Sequence, residues 1–171
     1  MNKRFNYTEF DRRSHRITAV VITVIVLLLL LSLYYIQTSY FTAWIIANLL
    51  AVAGLFILSI PRYVEVTGDA IEINCIVELT RIPYKDLLSV RRMEEGEMSR
   101  AIPLLGSYGF FGYYGYYLDL RRWNMMKVYT PQWNNFIEIE DIYEQKYVIS
   151  CPDPEAFLTA VKEAQAQCDL V

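Results

Sequence analysis

Between Ile17 and Pro61 the sequence has no Asp, Glu, Lys or Arg, although the 171-residue chain carries 16 Lys/Arg and 19 Asp/Glu elsewhere. Histidine occurs once, at His15, and cysteine three times, at Cys75, Cys151 and Cys168, with no close spacing. One histidine and three scattered cysteines exclude an ordinary zinc site and a Ser-His-Asp or Cys-His set after the apolar region. They do not make a disulfide framework either, and free thiols in a reducing compartment are expected. A basic face is also scarce. Residues 1–16 hold five Lys/Arg against two Asp/Glu, a net of +3, whereas residues 62–171 hold eleven against seventeen, a net of −6. A domain of that sign is a poor general ligand for nucleic acid, which needs phosphate neutralisation. Its net charge does not draw it to anionic lipid.

The charge-free window divides into two apolar runs of twenty residues, 17–36 and 41–60, joined by Gln37-Thr38-Ser39-Tyr40. A helix of that length spans about 30 Å, the thickness of a hydrocarbon core. The reading is a basic flank (1–16), a transmembrane helical hairpin (17–61) and a separate domain (62–171). Consecutive charge-free runs weigh against a buried helical pair in a soluble protein, and the second run weighs against a cleaved signal peptide. Tyr34, Tyr35, Tyr40, Phe41 and Trp44 gather at the turn, where aromatic rings favour the membrane interface. Basic residues flank the outer ends and none lies in the turn, which places both termini and the domain in the cytoplasm. Asn48 is the costliest group to bury in lipid. It is expected to adhere to Thr23 or Ser32 across the hairpin, or to a second copy of the chain. The absence of intramembrane ionisable residues argues against a transporter acting alone.

After Pro61 the pattern changes to period two. Tyr63–Thr67 and Ala70–Cys75 alternate around Gly68-Asp69 as a β-hairpin. Leu79–Tyr84, an edge strand because of Pro83, is followed by one helical turn at Lys85–Leu87 and a strand at Leu88–Met93. Beyond a long loop come strands at Met126–Thr130, Asn135–Glu140 and Lys146–Ser150. Asp153-Pro154-Glu155 then has the N-cap, first-turn proline and first-turn acid of a helix start. Phe157, Leu158, Ala160, Val161 and Ala164 make the apolar face of that helix. About seven antiparallel strands and a C-terminal helix specify an α+β fold, a pleckstrin-homology-like (PH-like) sandwich or partly open barrel capped by the helix.

The stretch Tyr147-Val-Ile-Ser-Cys-Pro-Asp-Pro-Glu-Ala-Phe157 after a membrane hairpin resembles the bacterial PH-domain family. Arg81-Ile-Pro-Tyr-Lys-Asp86, Gly109-Phe-Phe-Gly-Tyr-Tyr-Gly115 and Tyr129-Thr130 add to the resemblance, which covers roughly residues 62–165. It implies a fold and a bacterial inner-membrane setting, with no catalytic residues and no agreed ligand.

Gly106-Ser-Tyr-Gly-Phe-Phe-Gly-Tyr-Tyr-Gly-Tyr-Tyr117 places glycine at every third position, with seven Phe or Tyr among the residues between. It is too short and too poor in proline for a collagen helix. It also lacks the Gly-Lys-Ser/Thr of a phosphate loop. Either its rings complete a small core, or Tyr108, Phe110, Phe111, Tyr113, Tyr114, Tyr116 and Tyr117, with Arg121 and Arg122, form a contact surface for the bilayer, the hairpin or a partner. Lys85, Arg91 and Arg92 are the candidate anionic-ligand patch. The carboxylate pairs Glu94/Glu95 and Glu138/Glu140 read as a loop and a strand face and single out no acid–base chemistry. The expectation is a non-enzymatic, cofactor-free, membrane-tethered module that binds a protein partner, homo-oligomerises or scaffolds a membrane complex. The alternatives are headgroup sensing and an accessory subunit of a transporter or membrane enzyme.

Overall fold

The structure, a computed structural model, describes residues 3–7, 10–35, 40–58, 60–77 and 79–168. Within the two long helices, the side chains described stop short of residues 32–35, 41, 42, 53 and 55–58.

A sandwich forms where the period-two segments predict one. Strands β1 (Lys3–Asn6), β2 (Pro61–Val66), β3 (Ala70–Cys75) and β4 (Leu79–Pro83) make a four-stranded antiparallel sheet in the order β1-β2-β3-β4. A 3-10 turn at Tyr84–Asp86 carries the chain into the second sheet. That sheet contains β5 (Leu87–Arg92), β6 (Ala101–Tyr108), β7 (Tyr113–Asp119), β8 (Asn124–Thr130), β9 (Phe136–Asp141) and β10 (Lys146–Ser150), in the order β5-β9-β10-β8-β7-β6. Only β8 and β10 run parallel in it. The C-terminal helix, labelled α3 in chain order (Pro154–Cys168), starts where Asp153 Oδ1 accepts from the Ala156 N–H at 3.1 Å, so the predicted cap forms.

Alternation explains the main core. Val64, Val66, Ile71, Ile73 and Ile82 from one sheet meet Ile137, Ile139 and Ile149 from the other, and Phe157, Ala160, Val161 and Ala164 of α3 close the layer. A second cluster, built from Met98, Tyr113, Tyr117, Met126, Val128 and Val148, lies under the β6–β7 side.

Two expectations change. The described residues hold ten strands where about seven were expected. The long loop before Met126 contains the β6–β7 hairpin, and the basic flank contains β1. Strand β1 pairs antiparallel with β2, from Lys3 opposite Val66 to Asn6 opposite Tyr63. Phe5 sets its ring edge-on to Phe157 at 5.2 Å, and the Tyr7 hydroxyl donates to the Tyr129 carbonyl at 2.9 Å. Residues on both sides of the apolar region therefore build one sandwich.

Helix α1 covers Arg12–Tyr35 and α2 covers Tyr40–Leu58. Among the described residues one helix is long and apolar enough to cross a membrane: Arg12–Leu31, with mean hydropathy 2.3 and 6% of its window buried. The apolar stretch described in α2, Ala43–Val52, is shorter. Of the connection expected at Gln37–Tyr40, Tyr40 opens α2, and residues 37–39, with the side chains of Ser32, Tyr34, Tyr35 and Phe41, lie outside the described residues.

Register defines two ends of the sandwich. Pro61 opposite Cys75, Arg92 opposite Ile137, and Tyr113 opposite Thr130 mark the end where α1 and α2 attach. Ala70 opposite Pro83, Leu87 opposite Asp141, and Asp119 opposite Asn124 mark the far end.

Candidate functional site at the foot of the first helix

The glycine–aromatic stretch is a hairpin whose backbone only glycine permits at its narrowest point. Gly106 and Gly115 lie opposite each other with φ of 141° and 111°. A Cβ on Gly106 would stand 2.1 Å from the Tyr114 carbonyl oxygen, and one on Gly115 would stand 2.2 Å from that of Leu105. Such contacts are far inside van der Waals distance, and the φ values are rare for residues with a side chain. The Tyr117 hydroxyl donates to the Ser107 carbonyl across the hairpin, and Ser107 Oγ donates to the Phe110 and Gly112 carbonyls at 2.6 and 3.0 Å. These bonds fix the tip, Gly109–Gly112.

The tip is seated on the first two turns of α1. Ser14 Oγ donates to the Gly109 carbonyl at 2.8 Å and accepts from the Gly112 N–H at 2.9 Å. One turn further on, Thr18 Oγ1 accepts from the Phe111 N–H at 2.9 Å and donates to the Gly109 carbonyl at 3.3 Å. A spacing of four residues puts both hydroxyls on one helix face. Between them Ile17 comes so close that a Cβ on Gly109 would lie 2.5 Å from its Cδ1. Phe10 packs edge-on to Phe111 at 6.3 Å. Ser14 is buried, while most of the described α1 beyond Thr18 is exposed or half-buried apolar surface. Sequence reasoning singled out none of Phe10, Ser14, Ile17 and Thr18. The available signal was the hydroxyl pair four residues apart at the start of an apolar helix.

The aromatic residues divide between the two expected roles. Tyr113, Tyr114 and Tyr117 are buried; burial pushes the Tyr114 hydroxyl up to about 12 and raises Tyr117 as well. Tyr113 has no hydrogen-bond partner for its hydroxyl among the described residues. Tyr108 packs edge-on to Tyr113 and Trp133, both at 5.4 Å, beneath the Arg13 guanidinium at 5.5 Å. Phe110 and Phe111 are half-buried at the tip, 4.9 Å apart. Tyr116 faces outward under Lys127 Nζ at 5.4 Å. Arg121 and Arg122 lie at the far end, in the turn between β7 and β8, apart from the tip.

The basic patch expected from Lys85, Arg91 and Arg92 does not assemble. Lys85 sits before β5 at the far end, whereas Arg91 and Arg92 close that strand at the other. Arg91 forks onto both carboxylate oxygens of Glu97 at 3.0 and 2.8 Å and also donates to Glu138 at 3.0 Å. Arg92 reaches Glu155 at 3.5 Å. The Arg91 guanidinium holds the Glu97 carboxyl down at about 2. Arg122 at 3.8 Å and Lys146 at 3.9 Å complete a charge ladder around the buried Glu138. A cavity of about 340 Å³ beside this ladder sets Glu94 and Glu95 against Arg92, so its sign opposes an anionic headgroup.

Asn48 spends its Nδ2 on the Trp44 carbonyl of its own helix at 2.8 Å, and Thr23 donates to Ala19 in the same way. The expected Asn48–Thr23 bridge is absent between these groups, because each has a nearer backbone acceptor one turn back. Ser32, the other expected partner, lies outside the described side chains.

Comparison with curated proteins and with solved structures returned no match. A family model described as "Bacterial PH domain" matches residues 62–165. It covers the sandwich from β2 through the buried face of α3 and includes the hairpin that grips α1. With most of its length matched by that model and a sandwich closed by a C-terminal helix, the chain belongs to the bacterial PH-domain family.

Proposed function

We propose that the chain is a non-catalytic PH-like binding module fixed to the bacterial cytoplasmic membrane. In this reading α1 and α2 cross the bilayer as a hairpin, both termini and the sandwich lie in the cytoplasm, and the module holds a protein partner beside the lipid. One observation carries the tether: Ser14 and Thr18 lock the foot of an exposed apolar helix to the hairpin tip through four hydrogen bonds. Pairing of β1 with β2 supports it too, since both ends of the apolar region return to one sheet.

A protein partner is favoured over a lipid headgroup because Arg91 is consumed by Glu97 and Glu138. The far end also exposes Trp123 (77%) and Tyr143 (69%), with the exposed Arg121 two residues before Trp123. Exposed aromatic and arginine residues are the usual anchors of protein interfaces.

The full chain, made in bacteria, should stay with the membrane after alkaline carbonate washing and leave a C-terminal alkaline phosphatase fusion inactive. Release into the wash, or an active fusion, contradicts the tether or its orientation. A photo-crosslinking residue at Trp123 should give a discrete protein adduct in cells. Recovery of uncrosslinked chain alone contradicts partner binding at that end.

A further inference from the structure

We infer that the β3–β4 hairpin tip is a second, non-spanning membrane contact, seated at the boundary between lipid headgroups and acyl chains. The inference rests on the membrane reading of the two helices.

The tip exposes three apolar side chains within four residues: Ile76 (44%), Val77 (70%) and Leu79 (54%). Surface β-branched and leucine side chains clustered at a turn lose water contact only if something covers them. Position identifies the cover. The Ile76 N–H donates to the Ile60 carbonyl at 3.1 Å, and Cys75 pairs with Pro61. Ile60 lies two residues beyond Leu58, where α2 ends. The tip is therefore tied by backbone bonds to the point where the chain leaves its second apolar helix. In a membrane-spanning hairpin that point is the headgroup zone.

The neighbouring chemistry suits that depth. Arg62, exposed at the start of β2, is placed to meet lipid phosphate. A shallow seat keeps Arg62 at headgroup level while the apolar tip is covered. The Phe110–Phe111 tip against α1 and the Ile76–Leu79 tip against the exit of α2 then flank the two feet of the hairpin. The sandwich would be held at a fixed tilt instead of swinging on a single joint.

The test uses the full chain with Cys168→Ser, in vesicles of phosphatidylethanolamine and phosphatidylglycerol. An environment-sensitive fluorophore is placed in turn at Val77→Cys, at Val24→Cys on α1 and at Tyr143→Cys at the far end. Nitroxide lipids report depth and aqueous iodide reports exposure. Expected at position 77 is strong quenching by headgroup-proximal nitroxide, weaker quenching by deep nitroxide, and iodide quenching several-fold below that at 143. Position 24 responds to the deep nitroxide. If 24 responds but 77 is quenched by iodide as strongly as 143 and by no nitroxide, the helix is in the bilayer, the tip is in water and the inference is overturned. Shielding of 77 from both quenchers points to a protein cover and also overturns it. If 24 itself is insensitive to nitroxide, the membrane reading fails and the inference fails with it.

Discussion

The β2–β3–β4 meander and the β6–β7 hairpin are both antiparallel, but different features of the chain specify them. In the meander, Val64, Val66, Ile71 and Ile73 face the core while Glu65 and Glu72 lie between them, half-buried. Side-chain alternation selects that register, and a one-residue slip would expose the whole apolar set. In the hairpin, consecutive Tyr113 and Tyr114 are both buried, so alternation carries no information. The register there is set by backbone: two opposed glycines and a Tyr117 hydroxyl on the Ser107 carbonyl. Side-chain hydrophobicity tolerates exchange among similar residues, whereas a backbone contact of this closeness tolerates no added atom.

The sharpest way to break this comparison is to add one methyl group to each region. Gly115→Ala or Gly106→Ala should cost about 3 kcal/mol or more, combining backbone strain with a clash against a carbonyl that cannot move freely. At Gly68, in the meander's turn, a Cβ meets nothing within 4 Å, and Gly68→Ala should stay within about 1 kcal/mol. Thermal or denaturant unfolding of the detergent-solubilised chain measures both. Equal losses at the two sites would remove the distinction.

Next in size is the edge strand that joins the flank to the sandwich. Phe5→Ala removes the ring packed on Phe157 and should cost about 2 kcal/mol, less than a fully buried phenylalanine because Phe5 is half-buried. An unchanged midpoint would mean that β1 adds nothing to the domain. Ser14→Ala removes one buried hydroxyl that serves two backbone groups and should cost about 1–3 kcal/mol. Its effect should concentrate at the tip, and the meander's amides should keep their protection from hydrogen exchange.

The smallest expected effect is one of pH. Glu97, held at about 2 beside Arg91 against an ordinary value of 4.5, favours the folded state above that ordinary value. The contribution fades as pH falls from there towards 2. Glu97→Gln should lower the plateau of a stability–pH curve above that ordinary value, flatten its acid limb and leave the slope on the alkaline side unchanged. An acid limb identical to that of the parent chain would show that the pair is inert.

These regions also explain what could be read in advance. The meander, β8 to β10 and α3 follow from period two, turn residues and the Asp153-Pro154 start, which are local and repeat over several residues. Strand β1 is four residues long with Phe5 its only apolar side chain. It is a strand because β2 offers an edge, and no local pattern carries that information. The hairpin was hidden for a different reason: Gly106, Gly109, Gly112 and Gly115 interrupt alternation at every third residue, so the segment resembles a loop until its two arms face each other. The clamp was harder still to foresee. Ser14 and Thr18 find their partners at Gly109, Phe111 and Gly112, more than ninety residues away. The candidate patch at Lys85, Arg91 and Arg92 failed because sequence proximity near one strand does not say which carboxylates the fold brings to Arg91.

Hydrogen exchange at Phe111 and Gly112, in the full chain reconstituted in lipid nanodiscs, tests most directly whether the sandwich is clamped to its helix. Their amides donate to Thr18 and Ser14, 2.9 Å away in each case. They should be protected in the parent chain and lose that protection in Ser14→Ala/Thr18→Val, while Val64 and Ile73 remain protected. Exchange of Phe111 and Gly112 at the open-chain rate in the parent protein would contradict the clamp.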